Sequence, residues 1–167
     1  MRRTVYLLVV LTLCLCGCYH VKLTEEKSAT ELMADGHDKF ATRDYRSAIT
    51  AFRRVTDWYP FSEHVPVAEL KIADAYYKLR QYDQAASAYN EFANLHPRHS
   101  STPFATYQVG RCFFDRMHTI DRDQANAEKA LLAFKRFLNR HPDSEYADPA
   151  SAHIKECQRR IAAHELL

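Results

Sequence analysis

The sequence predicts an all-helical protein, a short α-solenoid of about three helix-turn-helix repeats followed by a C-terminal helix. Its six prolines fall in three pairs, and each pair follows an amphipathic segment: Pro60/Pro66, Pro97/Pro103 and Pro142/Pro149. The second pair follows the first after 37 residues, and the third follows the second after 45. Periods in this range are typical of helical pairs that stack so that each unit buries a face against its neighbour.

Small residues keep the same register and identify the two helices of each repeat. They recur on the first helix at Gly36, Ala73 and Gly110 and on the second helix at Ala48, Ala85 and Ala130. A glycine inside a helix costs about 1 kcal/mol relative to alanine, so close helix packing is the expected reason for its presence. With aromatic residues at the intervening positions, this pattern resembles the tetratricopeptide repeat.

Prolines and capping signals predict the limits of seven helices. The first proline of each pair ends one helix, and the second opens the next, because proline is tolerated in the first turn. Ser28 with Glu31 predicts a capping box, and Thr102 and Asp148 are predicted N-caps. The helices are expected at roughly 28–42, 44–59, 66–80, 82–96, 103–117, 123–140 and 149–166, which places the repeat domain over 28–167.

The N-terminal 17 residues are predicted to be a lipoprotein signal peptide. Arg2 and Arg3 precede an apolar core that contains no acidic residue and is too short to span a bilayer. The run Leu15-Cys16-Gly17-Cys18 then resembles a bacterial lipobox, in which a small residue precedes the acylated cysteine. We therefore expect lipidation at Cys18 and a lipidated tether over residues 18–27.

Charge and motif content argue against several classes of function. Removing the signal peptide leaves equal numbers of basic and acidic side chains, so no basic surface for nucleic acid is expected. The sequence has three glycines and lacks a phosphate loop, a Gly-x-Ser-x-Gly element and a His-Glu-x-x-His element, so an enzyme is not expected. No cofactor is expected either.

The histidines and cysteines of the repeat region have structural explanations. His96 and His141 occupy equivalent last-turn positions and His99 lies in a turn, so a structural or solvated role is favoured over a metal site. Cys112 and Cys157 each follow a closing proline by 15 residues, at a position that Ala75 fills in the second repeat. Both are expected to be buried thiols, although an oxidising periplasm would permit a disulfide.

An insertion inside the third repeat carries the most specific resemblance. The distance from the small residue to the alanine is twelve in the first two repeats, but Gly110 and Ala130 are twenty apart. The chain resembles the BamD family, the lipoproteins of the β-barrel assembly machine. The resemblance rests on Cys18, Asp44-Tyr45, Ala48, Tyr59-Pro60, Ser62, Ala75-Tyr76-Tyr77, Phe92, His96-Pro97, Ile120-Asp121-Arg122-Asp123-Gln124, Phe137, His141-Pro142-Asp143-Ser144-Glu145-Tyr146 and Ala163-His164-Glu165.

The resemblance implies a periplasmic scaffold that contacts BamA and other subunits of the machine and receives unfolded outer-membrane proteins. Tyr19 replaces the aspartate that retains lipoproteins in the inner membrane, which favours the periplasmic face of the outer membrane. Family members usually continue for about two further repeats, so a short paralogue and an incomplete gene model both stay open. Two other classes also stay open, namely a TolA-associated tetratricopeptide protein and a secretin-assembly pilotin.

The register also predicts a peptide-binding groove on the concave side, formed by the first helix of each repeat. Its predicted residues are mostly apolar or aromatic and are Met33, His37, Phe40, Leu70, Asp74, Tyr77, Phe104, Tyr107, Arg111 and Phe114. Such a surface favours an extended peptide with aromatic side chains. Asp74 and Arg111 would supply polar contacts, and Arg111 is the expected partner of a terminal carboxylate. Packing between helices is an equally available role for any single aromatic residue of this set.

Overall fold

The computed structural model describes residues 27–117 and 124–165. The predicted signal peptide, Cys18, most of the predicted tether and the Asp121-Arg122-Asp123 segment lie outside the described residues. Within them the chain forms seven α-helices: α1 Ala29–Ala41, α2 Tyr45–Trp58, α3 Val65–Lys78, α4 Tyr82–Leu95, α5 Thr102–Met117, α6 Gln124–Arg140 and α7 Ala147–Glu165. These limits lie within two residues of the expected ones, so the predicted seven-helix array is confirmed.

The helices form three helix-turn-helix repeats and a closing helix, α1/α2, α3/α4, α5/α6 and then α7. Each helix packs mainly against the helices that precede and follow it in the chain. Such nearest-neighbour packing is characteristic of a solenoid, in which each repeat gains stability from the adjacent one. None of the helices within the described ranges combines the length and apolar character needed to cross a membrane.

Local hydrogen bonds define where the helices start, and two of the predicted N-caps are wrong. Ser28 and Glu31 form the expected capping box at α1. Thr102 is not an N-cap, because α5 already includes it and its hydroxyl donates to the carbonyl of His96 at 2.5 Å. Asp148 lies inside the first turn of α7, where its charge favours the positive end of the helix.

The turns inside the first two repeats share one geometry. Arg43 and Arg80, 37 residues apart, both adopt left-handed backbone conformations with φ of 64° and 57°. The following amide nitrogens donate back to Lys39 and Tyr76 carbonyls at 2.9 and 3.0 Å. This pattern is the Schellman ending of a helix, and its left-handed residue is usually glycine.

The core consists of close contacts between small residues and aromatic rings. A Cβ atom added at Gly36 would overlap the ring of Phe52, and one added at Gly110 would overlap the ring of Phe134. The three alanines of the second helices are completely buried: Ala48, Ala85 and Ala130. The two glycines identified from the sequence therefore mark close helix approaches, and the alanines lie in the core.

The two cysteines of the repeat domain are buried free thiols, as expected. Burial is the main cause that raises the pKa of Cys157 to about 11, and the neighbouring Glu156 carboxylate adds to it. Burial also raises the pKa of Cys112 well above its ordinary value. Both thiols therefore stay protonated at neutral pH and fill space in the core.

Candidate functional site

Three of the ten predicted groove residues belong to the core. Met33 and Tyr107 each expose 6 % of their surface and Phe114 exposes 8 %. Met33 packs with the first repeat, whereas Tyr107 and Phe114 pack with α6 and α7. The expectation that these three side chains face a free groove is therefore wrong, because neighbouring helices cover them.

The other seven predicted residues keep accessible surface. His37 is exposed, whereas six others are half-buried: Phe40, Leu70, Asp74, Tyr77, Phe104 and Arg111. His37 lies edge-on to the ring of Phe52, with centroids 5.4 Å apart. The accessible part of the predicted surface is thus narrower and more polar than the sequence indicated.

Three of the seven residues line one cavity of about 740 Å³. Leu70 and Asp74 come from α3 and Phe104 comes from the start of α5. The opposite wall is the connection between α6 and α7, which includes Tyr146. The cavity therefore joins the second and third repeats and combines apolar walls with charged groups at its edge.

Two basic side chains that the sequence interpretation missed also line this cavity. The ammonium group of Lys71 donates to Asp74 at 2.9 Å and lies 5.3 Å from the ring centroid of Phe40. Arg140 is exposed at the end of α6. The position of Lys71, three residues before Asp74 on a helix, was the available signal for the ion pair.

Asp74 serves the packing of the second repeat as well as the cavity. Its Oδ1 atom accepts a hydrogen bond from the hydroxyl of the fully buried Tyr89 at 2.7 Å. Burial, followed by the charge of Asp74 and this hydrogen bond, raises the pKa of Tyr89 well above its ordinary value. The Asp74 carboxylate is therefore held in place by Tyr89 from within and by Lys71 at the surface.

A second polar cluster joins α3 to α5. Tyr77 donates a hydrogen bond to Asp115, and Arg111 approaches the same carboxylate at 3.1 Å and the Tyr77 hydroxyl at 3.2 Å. Burial, and then the contact with Asp115, raise the pKa of Tyr77. The pair Arg111 and Asp115, four residues apart on one helix, was recognisable from the sequence but was not identified there.

This cluster changes the role expected of Arg111. Burial of the Arg111 guanidinium lowers its pKa. The Tyr107 hydroxyl and Asp115 raise it by more, so the pKa of Arg111 lies above its ordinary value. Its Nε atom is buried without a hydrogen-bond partner among the described residues. Arg111 therefore links α5 to Tyr77 of α3, and it does not line the cavity described above.

Aromatic residues close the third repeat around Tyr107. Its ring stacks on Tyr146, with centroids 5.0 Å apart, and its hydroxyl lies 3.2 Å from Nε2 of His153. His153 in turn lies 4.2 Å from the ring centroid of Phe114. Residues of α7 and the turn before it thus occupy the space that the sequence interpretation assigned to a peptide.

The histidine of the second repeat has a structural partner. Nε2 of His96 lies 2.6 Å from Oε2 of Glu69, which connects the end of α4 to α3. No group of three or more histidine, cysteine, aspartate or glutamate side chains within residues 27–117 and 124–165 is arranged to hold a metal ion.

Sequence comparison connects this fold to a known family. The profile of the family described as "YfiO: Outer membrane lipoprotein" matches residues 25–167, which include all seven helices. The chain belongs to the YfiO family. The resemblance to BamD proteins is thereby confirmed, and the match begins just before the first described residue.

Individual relatives agree with this family. The chain is 30 % identical over 142 residues to the outer membrane protein assembly factor BamD of Caulobacter vibrioides, covering 85 % of this chain and 47 % of that protein. It is 27 % identical over 155 residues to BamD of Neisseria meningitidis serogroup B, covering 87 % and 58 %. The chain thus spans about half the length of the relatives that it matches.

A solved structure supports the fold independently. The first tetratricopeptide domain of Spaghetti (RPAP3), bound to an HSP90 peptide, superimposes with a TM-score of 0.58. The two chains are 22 % identical, and the match covers 80 % of this chain and 93 % of that domain. The predicted tetratricopeptide-like solenoid is confirmed at the level of fold.

Proposed function

We propose that this YfiO-family chain is a non-catalytic scaffold of the β-barrel assembly machine, anchored by lipid at the periplasmic face of the outer membrane. The family match over residues 25–167 carries this proposal, since the matched relatives are outer membrane protein assembly factors. In this role the chain contacts BamA and other subunits and receives unfolded outer-membrane proteins.

The cavity between the second and third repeats supports a role in holding an extended peptide. Its volume of about 740 Å³ can accept several side chains but not a folded domain. Leu70 and Phe104 supply apolar contact area for an aromatic residue of the peptide. Such a site recognises a short segment of an unfolded chain by side-chain burial, as helical-repeat grooves do.

The charged groups at the cavity favour Lys71 over Arg111 as the partner of a terminal carboxylate. Lys71 lines the cavity and keeps 31 % of its side chain exposed. Arg111 is equally exposed and is likewise paired with a carboxylate, but it does not line the cavity. We therefore propose Leu70, Asp74 and Phe104 as the central contacts, with His37, Phe40, Tyr77 and Arg111 as flanking or supporting residues.

A binding experiment tests the cavity. Phe104→Ala should weaken binding of a peptide that ends in an aromatic residue by roughly 30-fold, because a buried aromatic anchor contributes about 2 kcal/mol. Leu132→Ala is the matched control, since Leu132 is half exposed on α6 and lies outside the cavity. Equal affinity of wild type and Phe104→Ala, measured by calorimetry on folded protein, would exclude the cavity as the binding site.

The carboxylate contact has a separate test. Lys71→Met should weaken binding of a free-acid peptide more than binding of the same peptide with an amidated C-terminus. Arg111→Gln should affect the two peptides equally, because Arg111 does not line the cavity. A loss specific to the free acid in Arg111→Gln would instead restore Arg111 as the carboxylate partner.

Affinity purification from membranes tests the partner class. Tagged protein should recover BamA, whereas recovery of Tol components or a secretin would contradict the proposal.

The anchor is tested by intact-mass measurement, which should show loss of residues 1–17 and added acyl mass at Cys18. A Cys18→Ser variant should leave the outer-membrane fraction.

A further inference from the structure

Two large aromatic side chains are exposed together where the first repeat joins the second. Phe61 exposes 101 % of its reference surface and Trp58 exposes 54 %. They lie at the end of α2 and in the turn that leads to α3. Singly scattered exposed apolar residues are common, but two exposed aromatic residues three positions apart at one turn form a candidate contact surface.

This aromatic tip lies where the N-terminal tether enters the fold. The hydroxyl of Tyr59, between the two aromatic residues, donates to the main-chain carbonyl of Lys27 at 2.8 Å. Lys27 is nine residues from the predicted acylated Cys18. Nine extended residues reach at most about 30 Å, so an anchored chain holds this tip close to the bilayer.

Equivalent tips further along the solenoid are progressively less apolar. The positions of Trp58 and Phe61 correspond by the closing prolines to Leu95 and Arg98 after the second repeat and to Arg140 and Asp143 after the third. The three turns lie at the same ends of successive helix pairs. Only the tip beside the tether has two aromatic residues, which argues that the tether and not the repeat geometry explains them.

We propose that Trp58 and Phe61 insert into the interfacial layer of the lipid bilayer and fix the orientation of the solenoid against the membrane. Tryptophan and phenylalanine favour this layer, where apolar ring surface is buried while the indole N–H stays hydrated. One lipid anchor on a tether of nine residues fixes position but not orientation. A second contact beside the tether fixes both position and orientation. Because the tether holds this tip close to the bilayer, this inference rests on the proposed lipid anchor.

The charges around the tip indicate which lipids matter. Lys27, which is paired with Asp35, and Arg54 carry the positive charges, and the Arg54 guanidinium lies 5.6 Å from the ring centroid of Trp58. Asp57 and Glu63 are also exposed there and oppose it. With mixed charges, apolar burial and not attraction to anionic headgroups provides the binding energy, so zwitterionic bilayers should suffice.

Trp58 is the single tryptophan of the chain, so its fluorescence reports on this tip alone. We would reconstitute the full lipidated protein into phosphatidylcholine vesicles and measure Trp58 emission, quenching by acrylamide and quenching by brominated phosphatidylcholine. The expected result is a shift to shorter wavelength, protection from acrylamide and quenching by lipids brominated near the headgroup. Adding phosphatidylglycerol should change these values little.

Matched variants separate the tip from the anchor. Phe61→Ser should reduce quenching by brominated lipid, because it removes the more exposed ring. Arg98→Ser, at the equivalent position of the next tip, should leave it unchanged. Both side chains are exposed, so neither substitution is expected to affect folding, which circular dichroism would verify.

Three outcomes would overturn the inference. Trp58 that stays accessible to acrylamide in vesicles would place the tip in water. Protection of Trp58 from acrylamide that appears without lipid and increases with protein concentration would identify a second copy of the chain as the covering surface. Equal quenching in Phe61→Ser and wild type would remove Phe61 from the contact. A purification that fails to recover BamA would contradict the proposed function but leave this measurement unaffected.

Discussion

The second repeat packs its two helices with a different pair of residues from the first and third repeats. The outer repeats pair a glycine with a phenylalanine, Gly36 with Phe52 and Gly110 with Phe134. At the equivalent positions the second repeat has Ala73 and Tyr89, and both are completely buried in one core cluster. The second repeat thus accommodates a methyl group at the position where an added Cβ atom would overlap the ring in the other two repeats.

The polar residue next to the small one explains this difference. Asp74 accepts the hydrogen bond of the Tyr89 hydroxyl at 2.7 Å, which satisfies a group that would be costly to bury alone. The register places His37 and Arg111 at the same position of the first and third repeats. Neither supplies a carboxylate, and both repeats use phenylalanine. The aromatic residue and the polar residue on the facing helix therefore have to be considered as a pair.

The largest change in stability is expected when the Phe134 ring is removed from the third repeat. Phe134→Ala should lower the free energy of unfolding by about 3–5 kcal/mol, since Phe134 is completely buried. In that background, Gly110→Ala should become neutral or stabilising, because the ring that excludes a Cβ atom is gone. Denaturant unfolding of the single and double variants measures this coupling, and strictly additive effects would contradict the contact.

A smaller effect is expected from adding only the methyl group. Gly110→Ala alone should destabilise the protein by about 1–3 kcal/mol through overpacking against Phe134. The converse change, Ala73→Gly, should cost about 2 kcal/mol, through helix propensity and the loss of a buried methyl group. If thermal unfolding showed Gly110→Ala to be stabilising, the close approach of α5 and α6 would be incorrect.

Removing one hydroxyl tests the polar half of the pair. Tyr89→Phe should cost about 1 kcal/mol, because Asp74 loses one hydrogen bond but keeps Lys71 at its other oxygen. Tyr45→Phe, at a half-buried position at the start of α2, serves as the control and should have little effect. Equal stability of Tyr89→Phe and wild type would show that packing alone selects tyrosine.

The smallest effect concerns a surface ion pair that only the first repeat has. Lys39 donates to Asp35 at 2.6 Å and lowers its pKa, whereas the equivalent positions of the second repeat are Ile72 and Tyr76. Lys39→Met should cost about 0.3–0.5 kcal/mol at neutral pH.

The pH dependence of that pair has a defined sign. Its contribution is complete above the ordinary aspartate pKa near ~4 and is lost as the pH falls toward the lower pKa of the folded state. The stabilities of wild type and Lys39→Met should therefore converge in acid. A difference that persists at pH 2 would have to come from packing of the lysine stem.

The repeat array was predictable because its signals are local and recur at a fixed period. Proline pairs, small residues and one capping box determined seven helices to within two residues. The two wrong N-caps arose because a proline in the first turn does not specify whether the helix starts one residue earlier or two. The Thr102 hydroxyl instead donates a hydrogen bond to the carbonyl of His96, in the turn before α5.

The groove was only partly predictable, because equivalent positions receive different neighbours. Met33, Leu70 and Tyr107 share one register position, yet Leu70 stays half-buried and the other two are covered. Tyr107 is covered by Tyr146 and His153, which come from α7 and the turn before it. A period of the sequence predicts which side a residue faces, but the helix packed outside it decides whether that side is open.

The arginines in the two equivalent turns have an evolutionary consequence. Arg43 and Arg80 adopt a left-handed backbone that glycine accepts without steric penalty, whereas other residues pay about 1 kcal/mol or more. Arg43→Gly and Arg80→Gly should relieve this steric cost, and the net gain in stability is that relief less the entropy that glycine adds to the unfolded chain. Both turns therefore leave room for stabilisation, as expected for proteins held near a stability threshold and not at a stability optimum.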